Sequence, residues 1–246
     1  MENVLERTIG EIVAADYRTA QVFKDHKIDF CCKGNRGIEE ASREKKVDIN
    51  QLIEELEAVQ QVTTTDTSDF KTWPLDLLID YIEKRHHRYV EEKLPILKQY
   101  LHKLCQVHGD RHPDLFKINE EFNQSAGELV AHMKKEEFIL FPHVRKMVVT
   151  RKNKTQLEAP HFGTVQNPVQ MMMNEHAVEG DRFARISELT KSYTPPADGC
   201  TTYRVTYALL NEFEEDLHLH IHLENNILFP KAIEMEKQLS LQVQSQ

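Results

Sequence analysis

The chain has 246 residues, of which 40% are hydrophobic, and it contains eight glycines and nine prolines. This composition indicates a globular protein with one large domain or two unequal ones, and it excludes fibrous and disordered classes. The 40 Asp and Glu residues outnumber the 31 Lys and Arg residues, and the net charge of −9 makes nucleic acid and anionic membrane surfaces poor partners. No apolar run approaches the roughly 18 residues that span a bilayer, no signal-peptide pattern is found, and four cysteines are too few for a disulfide framework. The sequence therefore predicts a cytoplasmic protein with no membrane partner.

Residues 1–61 are predicted to form a small helical domain. Thr8 and Glu11 have the spacing of a capping box, which marks the start of a helix. Three further short helices are predicted, one ending near Lys24 and two at about 38–46 and 48–61. The polar, β-branched residues that follow give no support to a helix, so residues 62–74 are predicted to be a linker.

Residues 75–238 are predicted to form the second domain. Its apolar residues recur with helical spacing, and segments rich in glycine and proline separate four amphipathic stretches. These stretches lie at roughly 75–106, 114–148, 166–191 and 200–237. Four amphipathic helices joined by short turns form an antiparallel bundle. The predicted fold class is therefore all-α, an antiparallel four-helix bundle preceded by a small helical domain.

An eleven-residue pattern occurs twice within this second domain. The copies, residues 132–142 and 220–230, both read His, three residues, Glu, two residues, Ile-Leu-Phe-Pro. Residues four positions apart share one face of a helix, so the histidine of each copy lies one turn from its glutamate, Glu136 or Glu224. We interpret the two halves of the bundle as a duplicated helical hairpin.

Each half also offers a matching histidine on its first helix. His87 lies 45 residues before His132, and His176 lies 44 residues before His220. Both midpoints fall in predicted turns, and residues equidistant from the turn of an antiparallel hairpin lie at the same height. The four histidines are therefore predicted to form one layer across the bundle. Neighbouring helical residues diverge by about 100°, so three other histidines are predicted to face away from this layer, the last two of them into solvent: His86, His218 and His222.

Four imidazoles and two carboxylates in a bundle core are costly unless a ligand satisfies them. Six protein ligands are too many for one tetrahedral zinc ion, but they suit two metals bridged by Glu136 and Glu224. Mixed imidazole and carboxylate ligation favours non-haem iron over calcium or magnesium, and helix-bundle di-iron sites are built in this way. The sequence therefore predicts two iron ions, and it leaves manganese and zinc open.

The bundle resembles hemerythrin-like domains. Its combination with an N-terminal Asp29-Phe-Cys-Cys-Lys-Gly34 segment resembles the RIC family, the di-iron proteins called Repair of Iron Centres. The resemblance extends over nearly the whole chain, as far as Leu228-Phe-Pro230. It implies that the two glutamates are bridges within a set of six iron ligands, namely His87, His132, Glu136, His176, His220 and Glu224. It also implies a cytoplasmic protein, often a homodimer, that restores iron–sulfur clusters damaged by nitric oxide or peroxide.

Cys31 and Cys32 lie in a predicted turn where Gly34 and Gly37 are free to adopt positive φ. The family usually has a glycine after the cysteine pair, whereas this chain has Lys33. The lysine charge is predicted to favour the thiolate form, so the two cysteines are interpreted as a catalytic pair for redox, metal or partner chemistry. Burial as small core residues is the alternative. Adjacent cysteines do not match the Cys-X-X-Cys spacing of thioredoxin or zinc motifs.

The leading functional hypothesis is a di-iron stress protein that repairs iron–sulfur clusters after nitrosative or oxidative damage by donating iron. Its partners would then be damaged iron–sulfur proteins, with nitric oxide or dioxygen as small ligands. One alternative is a nitric oxide reductase acting at the diferrous site, so whether the protein is an enzyme stays open. The other alternative is a dioxygen carrier or sensor, against which the set of four histidines argues because hemerythrin has one imidazole more.

Overall fold

The computed structural model describes residues 4–61 and 69–244. Within these ranges every regular element is helical except one isolated β-bridge between Thr8 and Gly37, which confirms the all-α prediction. The chain forms two compact units. One unit comprises residues 1–78 and 221–246, and the other comprises residues 79–220.

The N-terminal residues form four short helices, as the sequence predicts. They are α1 (Ile9–Ala15), α2 (Thr19–Asp25), α3 (Ile38–Lys45) and α4 (Ile49–Gln61). The predicted capping box is present, because Thr8 Oγ1 accepts a hydrogen bond from the Glu11 amide at 3.2 Å and Glu11 Oε2 accepts one from the Thr8 amide at 2.8 Å. Fully buried side chains fill the space between these helices, among them Ile9, Ile12, Phe23, Leu52 and Leu56.

The predicted division into residues 1–61, 62–74 and 75–238 stays a prediction. Residues 62–68 of the predicted linker lie outside the described residues. The remainder of the linker contains a 3-10 turn, Phe70–Thr72. In the unit that includes these residues, Lys231 Nζ donates hydrogen bonds to the carbonyl oxygens of Lys71 and Trp73 at 2.6 and 2.8 Å.

Four long helical runs follow, and three of them contain a π-helical turn. The first run is α5 (Leu75–Tyr81), a π turn (Ile82–His87) and α6 (Arg88–His108). The second is α7 (Asp114–Lys135), a π turn (Glu136–Leu140) and α8 (Phe141–Asn153), and the third is α9 (Gln166–Leu189). The fourth is α10 (Thr201–Leu223), a π turn (Glu224–Leu228) and α11 (Phe229–Gln244). The second and fourth runs extend beyond their predicted ends near residues 148 and 237.

Within residues 79–220 the four helical runs are antiparallel to their neighbours. Contacts along each pair of runs occur in opposite order in the two sequences. The first and second runs meet at Cys105–Leu115 and Glu83–Arg145, and the second and third at Glu121–Arg185 and Ser125–Glu179. The first and fourth runs meet at Tyr89–Glu212 and His108–Tyr203. The core between them is apolar and includes three fully buried phenylalanines. Phe213 stacks on Phe183 and meets Phe122 edge to face, with centroid separations of 5.7 Å in both cases. Burying side chains of this size stabilises the bundle by roughly 1.5–3 kcal/mol each.

No helix in the described ranges combines the length and the apolar composition needed to cross a lipid bilayer.

Candidate metal centre

A cluster of histidines surrounds the buried carboxylate of Glu136. The ligand atoms of His87, Glu136 and His220 lie within 4.8 Å of one another, and so do those of His132, Glu136 and His176. His87 Nε2 lies 3.4 Å from Glu136 Oε2, and His132 Nε2 lies 3.3 Å from Glu136 Oε1. Each carboxylate oxygen therefore faces a different histidine, which is the arrangement of a carboxylate shared between two positions.

The structure brings all four sequence-predicted histidines to this cluster. The rings of His87 and His220 are 5.0 Å apart, and those of His132 and His176 are 4.6 Å apart. The four histidines therefore lie close together in the bundle, where the height argument from the two turns expects them. Glu224 is fully buried and follows His220 by four residues in one unbroken helical run, which directs both side chains to one face.

Three of the helical runs change to a π turn at the predicted ligands. One π turn ends at His87, and the other two begin at Glu136 and Glu224. In both copies of the repeat a proline follows the π turn after one phenylalanine, at Pro142 and Pro230. Proline lacks an amide hydrogen and its ring clashes with the carbonyl four residues earlier, so the wider turn accommodates it. The proline after Ile-Leu-Phe is the sequence signal that could have predicted these turns.

Two of the clustered histidines form a hydrogen bond to a carboxylate through Nδ1, the ring nitrogen that does not face Glu136. His87 Nδ1 lies 2.8 Å from Glu137 Oε1, and His132 Nδ1 lies 2.6 Å from Glu175 Oε2. The hydrogen bond from His132, together with one from Lys135, lowers the pKa of Glu175 to about 2. Glu175 is therefore an ionised acceptor, and His132 must donate through Nδ1. This tautomer directs the Nε2 lone pair to the cluster, as in metal-binding histidines.

Comparison with known proteins agrees with this geometry. Residues 78–232 match the family described as the hemerythrin HHE cation binding domain, and residues 5–60 match a domain of unknown function, DUF542. The iron-sulfur cluster repair protein YtfE of Yersinia pseudotuberculosis is 34% identical over 230 residues, which cover 94% of this chain and 98% of that protein. The iron-sulfur cluster repair protein ScdA of Staphylococcus haemolyticus is 32% identical over 228 residues, which cover 92% and 97%.

The chain belongs to this family of iron–sulfur cluster repair proteins. Its second domain is a hemerythrin-type cation-binding domain, and the buried donor set of that domain fits a metal. His132 Nε2 and His176 Nε2 are only 2.9 Å apart. A cation between such nitrogen lone pairs and a buried carboxylate balances charges that are otherwise costly to bury.

His86 lies outside the clustered ligand set but is packed directly beside it. His86 is fully buried, and its ring stacks on His220 with a centroid separation of 5.4 Å and an interplanar angle of 10°. Its Nδ1 lies 3.0 Å from Asp216 Oδ2. The π turn at Ile82–His87 departs from the 100° step of an α-helix, so two consecutive histidines are buried.

The cysteine turn of this repair-family chain is organised by Asp29. Its Oδ1 accepts hydrogen bonds from the amides of Cys31 and Cys32 at 3.1 and 2.9 Å, and from Cys31 Sγ at 3.4 Å. The Cys31–Cys32 Sγ separation is 3.6 Å. Contact with Cys32 and burial raise the pKa of the Cys31 thiol well above its usual range. The predicted thiolate character is therefore wrong for Cys31, because Lys33 is exposed while Cys31 is buried.

Two asparagines that sequence reasoning missed hold this turn. Asn225 Nδ2 donates a hydrogen bond to the Cys31 carbonyl at 3.1 Å. Asn226 Nδ2 donates to the Phe30 carbonyl at 3.3 Å and contacts His222 Nδ1 at 3.0 Å. Both asparagines directly follow Glu224 in the π turn. Within this unit, the backbone of the cysteine turn is therefore bonded to the residues next to a predicted metal ligand.

His222 and the glycines of the turn also correct the sequence interpretation. His222 is buried against Phe30 rather than solvated, and burial lowers its pKa to about 3. Gly163 is the glycine with positive φ in the described ranges, so neither Gly34 nor Gly37 uses the predicted freedom. Gly34 instead permits a close approach, because a Cβ at this position would lie 2.4 Å from the Phe30 carbonyl oxygen.

Proposed function

We propose that this protein is a di-iron protein that repairs iron–sulfur clusters damaged by nitrosative or oxidative stress, and that it does so by donating iron. The observation that supports the proposal most strongly is the division of the buried histidines into two pairs that share the Glu136 carboxylate. The names of the relatives supply the repair function. Imidazole and carboxylate ligands leave positions open and suit iron.

In this proposal one iron is held by His87 and His220, and the other by His132 and His176. Glu136 and Glu224 would be the carboxylate ligands available to both irons; Glu224 is included because it is fully buried and lies one helical turn from His220. Iron bound in this set supplies a redox-active metal that can be transferred. Glu137 and Glu175 orient His87 and His132 through Nδ1, which keeps each Nε2 available as a ligand.

We assign Cys31 and Cys32 to the step in which the protein acts on its client. Cys32 is the partly exposed member of the pair, whereas Cys31 is buried. Cys32 is therefore the thiol that reaches a partner. The Sγ of Cys31 lies 3.6 Å from that of Cys32 and contacts it from the buried side. Adjacent thiols suit the exchange of a soft metal ion or a thiol ligand.

The same proposal assigns damaged iron–sulfur proteins as partners and the cytoplasm as the location. Nitric oxide and dioxygen are the small molecules that reach the diferrous centre, and a homodimer is the oligomeric state. The net charge of −9 is consistent with a protein partner rather than a nucleic acid.

Reactivation of an enzyme whose [4Fe–4S] cluster has lost iron tests the proposal. Iron-loaded protein should restore the activity of that enzyme, whereas the double variant Glu136→Leu, Glu224→Leu should not. Glu120→Leu, at an exposed position of the second helical run, is the matched control. Equal reactivation by the double variant would exclude donation from this centre. Nitrous oxide formed under turnover would instead favour a nitric oxide reductase, and a stable, reversible oxy spectrum would favour a carrier or sensor.

A further inference from the structure

His86 carries a nitrogen that the six-ligand set does not use. Its Nδ1 lies 3.0 Å from Asp216 Oδ2, and the other oxygen of Asp216 lies 3.1 Å from Arg85 Nη1. A carboxylate paired with arginine is an acceptor, so His86 donates through Nδ1. The lone pair of His86 therefore lies on Nε2.

This Nε2 lone pair is buried and has no partner. His86 is 0% exposed, and no group in the described part of the chain forms a hydrogen bond with its Nε2. A buried polar atom without a partner costs roughly 1–3 kcal/mol. The ring packs against Tyr81 in a T-shaped arrangement and stacks on His220, with centroid separations of 5.4 Å to both. This buried nitrogen is thus available to a ligand on the His220 side of the bundle.

His86 has the same chemical arrangement as two of the proposed iron ligands. His87 and His132 also contact a carboxylate through Nδ1, with Nε2 directed into the cluster. The 5.4 Å from His86 to His220 is close to the 5.0 Å between His87 and His220. His86 itself lies outside the set whose ligand atoms are all within 4.8 Å of one another, so its ring has to turn for Nε2 to reach a metal held there.

The arrangement is present in only one half of the repeat. His86 precedes His87, whereas the residue before His176 is Glu175. Asp216 lies four residues before His220, whereas the residue four positions before His132 is Glu128, which pairs with Arg182 at 3.0 Å. The additional imidazole is therefore available to one pair of histidines and not to the other.

We propose that His86 is a third imidazole ligand for the metal at the His87–His220 position, which makes the two metal positions inequivalent. The iron at His87 and His220 is retained, and the iron at His132 and His176 is the one released. This inference rests on the proposed di-iron function. It specifies which of the two irons is donated.

Iron release to a ferrous chelator tests the inference on the full chain. The wild-type protein, loaded anaerobically to two irons per chain, should release them in two phases of equal amplitude. The rates should differ by roughly 10- to 100-fold, the range in which groups around a metal change affinity. His86→Leu should lose the slow phase and release both irons rapidly, whereas His102→Leu, at an exposed histidine, should keep both phases.

A second variant keeps the test decisive if His86→Leu does not fold. Asp216→Asn retains His86 but removes the carboxylate, and it should shorten the slow phase only. A single phase in the wild-type protein, or a slow phase unchanged in His86→Leu or Asp216→Asn, would overturn the role of His86. Fewer than two irons in the loaded wild-type protein would contradict the proposed di-iron function itself.

Discussion

The two copies of the repeat differ at the residue after the glutamate. In residues 132–142 this residue is Glu137, which contacts His87 Nδ1 at 2.8 Å. In residues 220–230 it is Asn225, which donates a hydrogen bond to the Cys31 carbonyl at 3.1 Å. Both residues occupy the second position of a π turn. The copies therefore share one local backbone and use it for two different contacts.

The difference separates two tasks within one motif. The positions common to both copies are the histidine, the glutamate and Ile-Leu-Phe-Pro, which provide the proposed ligands and the π turn. After the glutamate, each copy makes a different contact. One is a second carboxylate that orients a histidine, and the other is a pair of asparagines that hold the cysteine turn.

Removing the shared glutamate is expected to have the largest effect. In Glu136→Leu the two histidine pairs lose their common carboxylate, so iron content should fall from two ions per chain to less than one. The melting temperature of iron-loaded protein should fall toward that of the apo form, because metal binding stabilises the folded state. Metal analysis and calorimetry measure both effects. Unchanged iron content would show that Glu136 is not a ligand.

Glu137→Gln should produce a smaller loss in the first copy alone. The variant weakens the acceptor for His87 Nδ1, and iron affinity should fall by roughly 10- to 100-fold. Competition with a ferrous chelator measures it. Asn225→Ala, at the matching position of the second copy, should leave iron affinity unchanged. An equal loss in both variants would contradict the separation of tasks.

Substitution of Asn225, but not of Glu137, should change the reactivity of the cysteine turn. At pH 7–8 an alkylating reagent should label Cys32 in the wild-type protein and spare Cys31, because the contact with Cys32 and burial raise the pKa of Cys31. Asn225→Ala removes a hydrogen bond worth about 1 kcal/mol, so labelling of Cys31 should rise several-fold. Mass spectrometry of the labelled peptide measures it. Cys31 labelling that rises equally in Glu137→Gln would refute the assignment.

The smallest expected effect lies outside both copies, at an ion pair between α7 and α9. Arg185 Nη2 lies 3.1 Å from Glu121 Oε2 and lowers the pKa of that carboxyl. A carboxyl group whose pKa is lowered on folding stabilises the fold at pH values above its pKa in the unfolded chain. It loses that contribution as the pH falls through its pKa in the folded protein. Glu121→Gln should therefore cost about 1 kcal/mol at pH 7 and less as the pH falls toward 3.

Urea unfolding at both pH values measures this difference, with iron content as the second readout. Iron content should be the same in Glu121→Gln and in the wild-type protein at pH 7. A cost that persists at the acidic pH would mean that packing, rather than charge, accounts for the contribution of Glu121.

Helical periodicity explains why much of the fold and site could be predicted from sequence. The i,i+4 spacing of His132 and Glu136, and the equal distances of His87 and His132 from their turn, follow directly from the geometry of antiparallel helices. His86 escaped prediction because a π turn breaks that periodicity. The burial of His222 escaped prediction, and for Cys31 it was only the alternative, because burial of both depends on packing between segments far apart in sequence, which periodicity does not encode.

The most direct test of the central claim is the iron content and optical spectrum of anaerobically purified protein, for the wild-type sequence, His132→Ala and His102→Ala. The proposed centre predicts two irons per chain, with oxo-bridged absorption after exposure to air, in the wild-type protein and in His102→Ala. His132→Ala should lose both the absorption and the paired metal. About one zinc per chain, unaffected by His132→Ala, would contradict a di-iron centre and with it the proposed donation of iron.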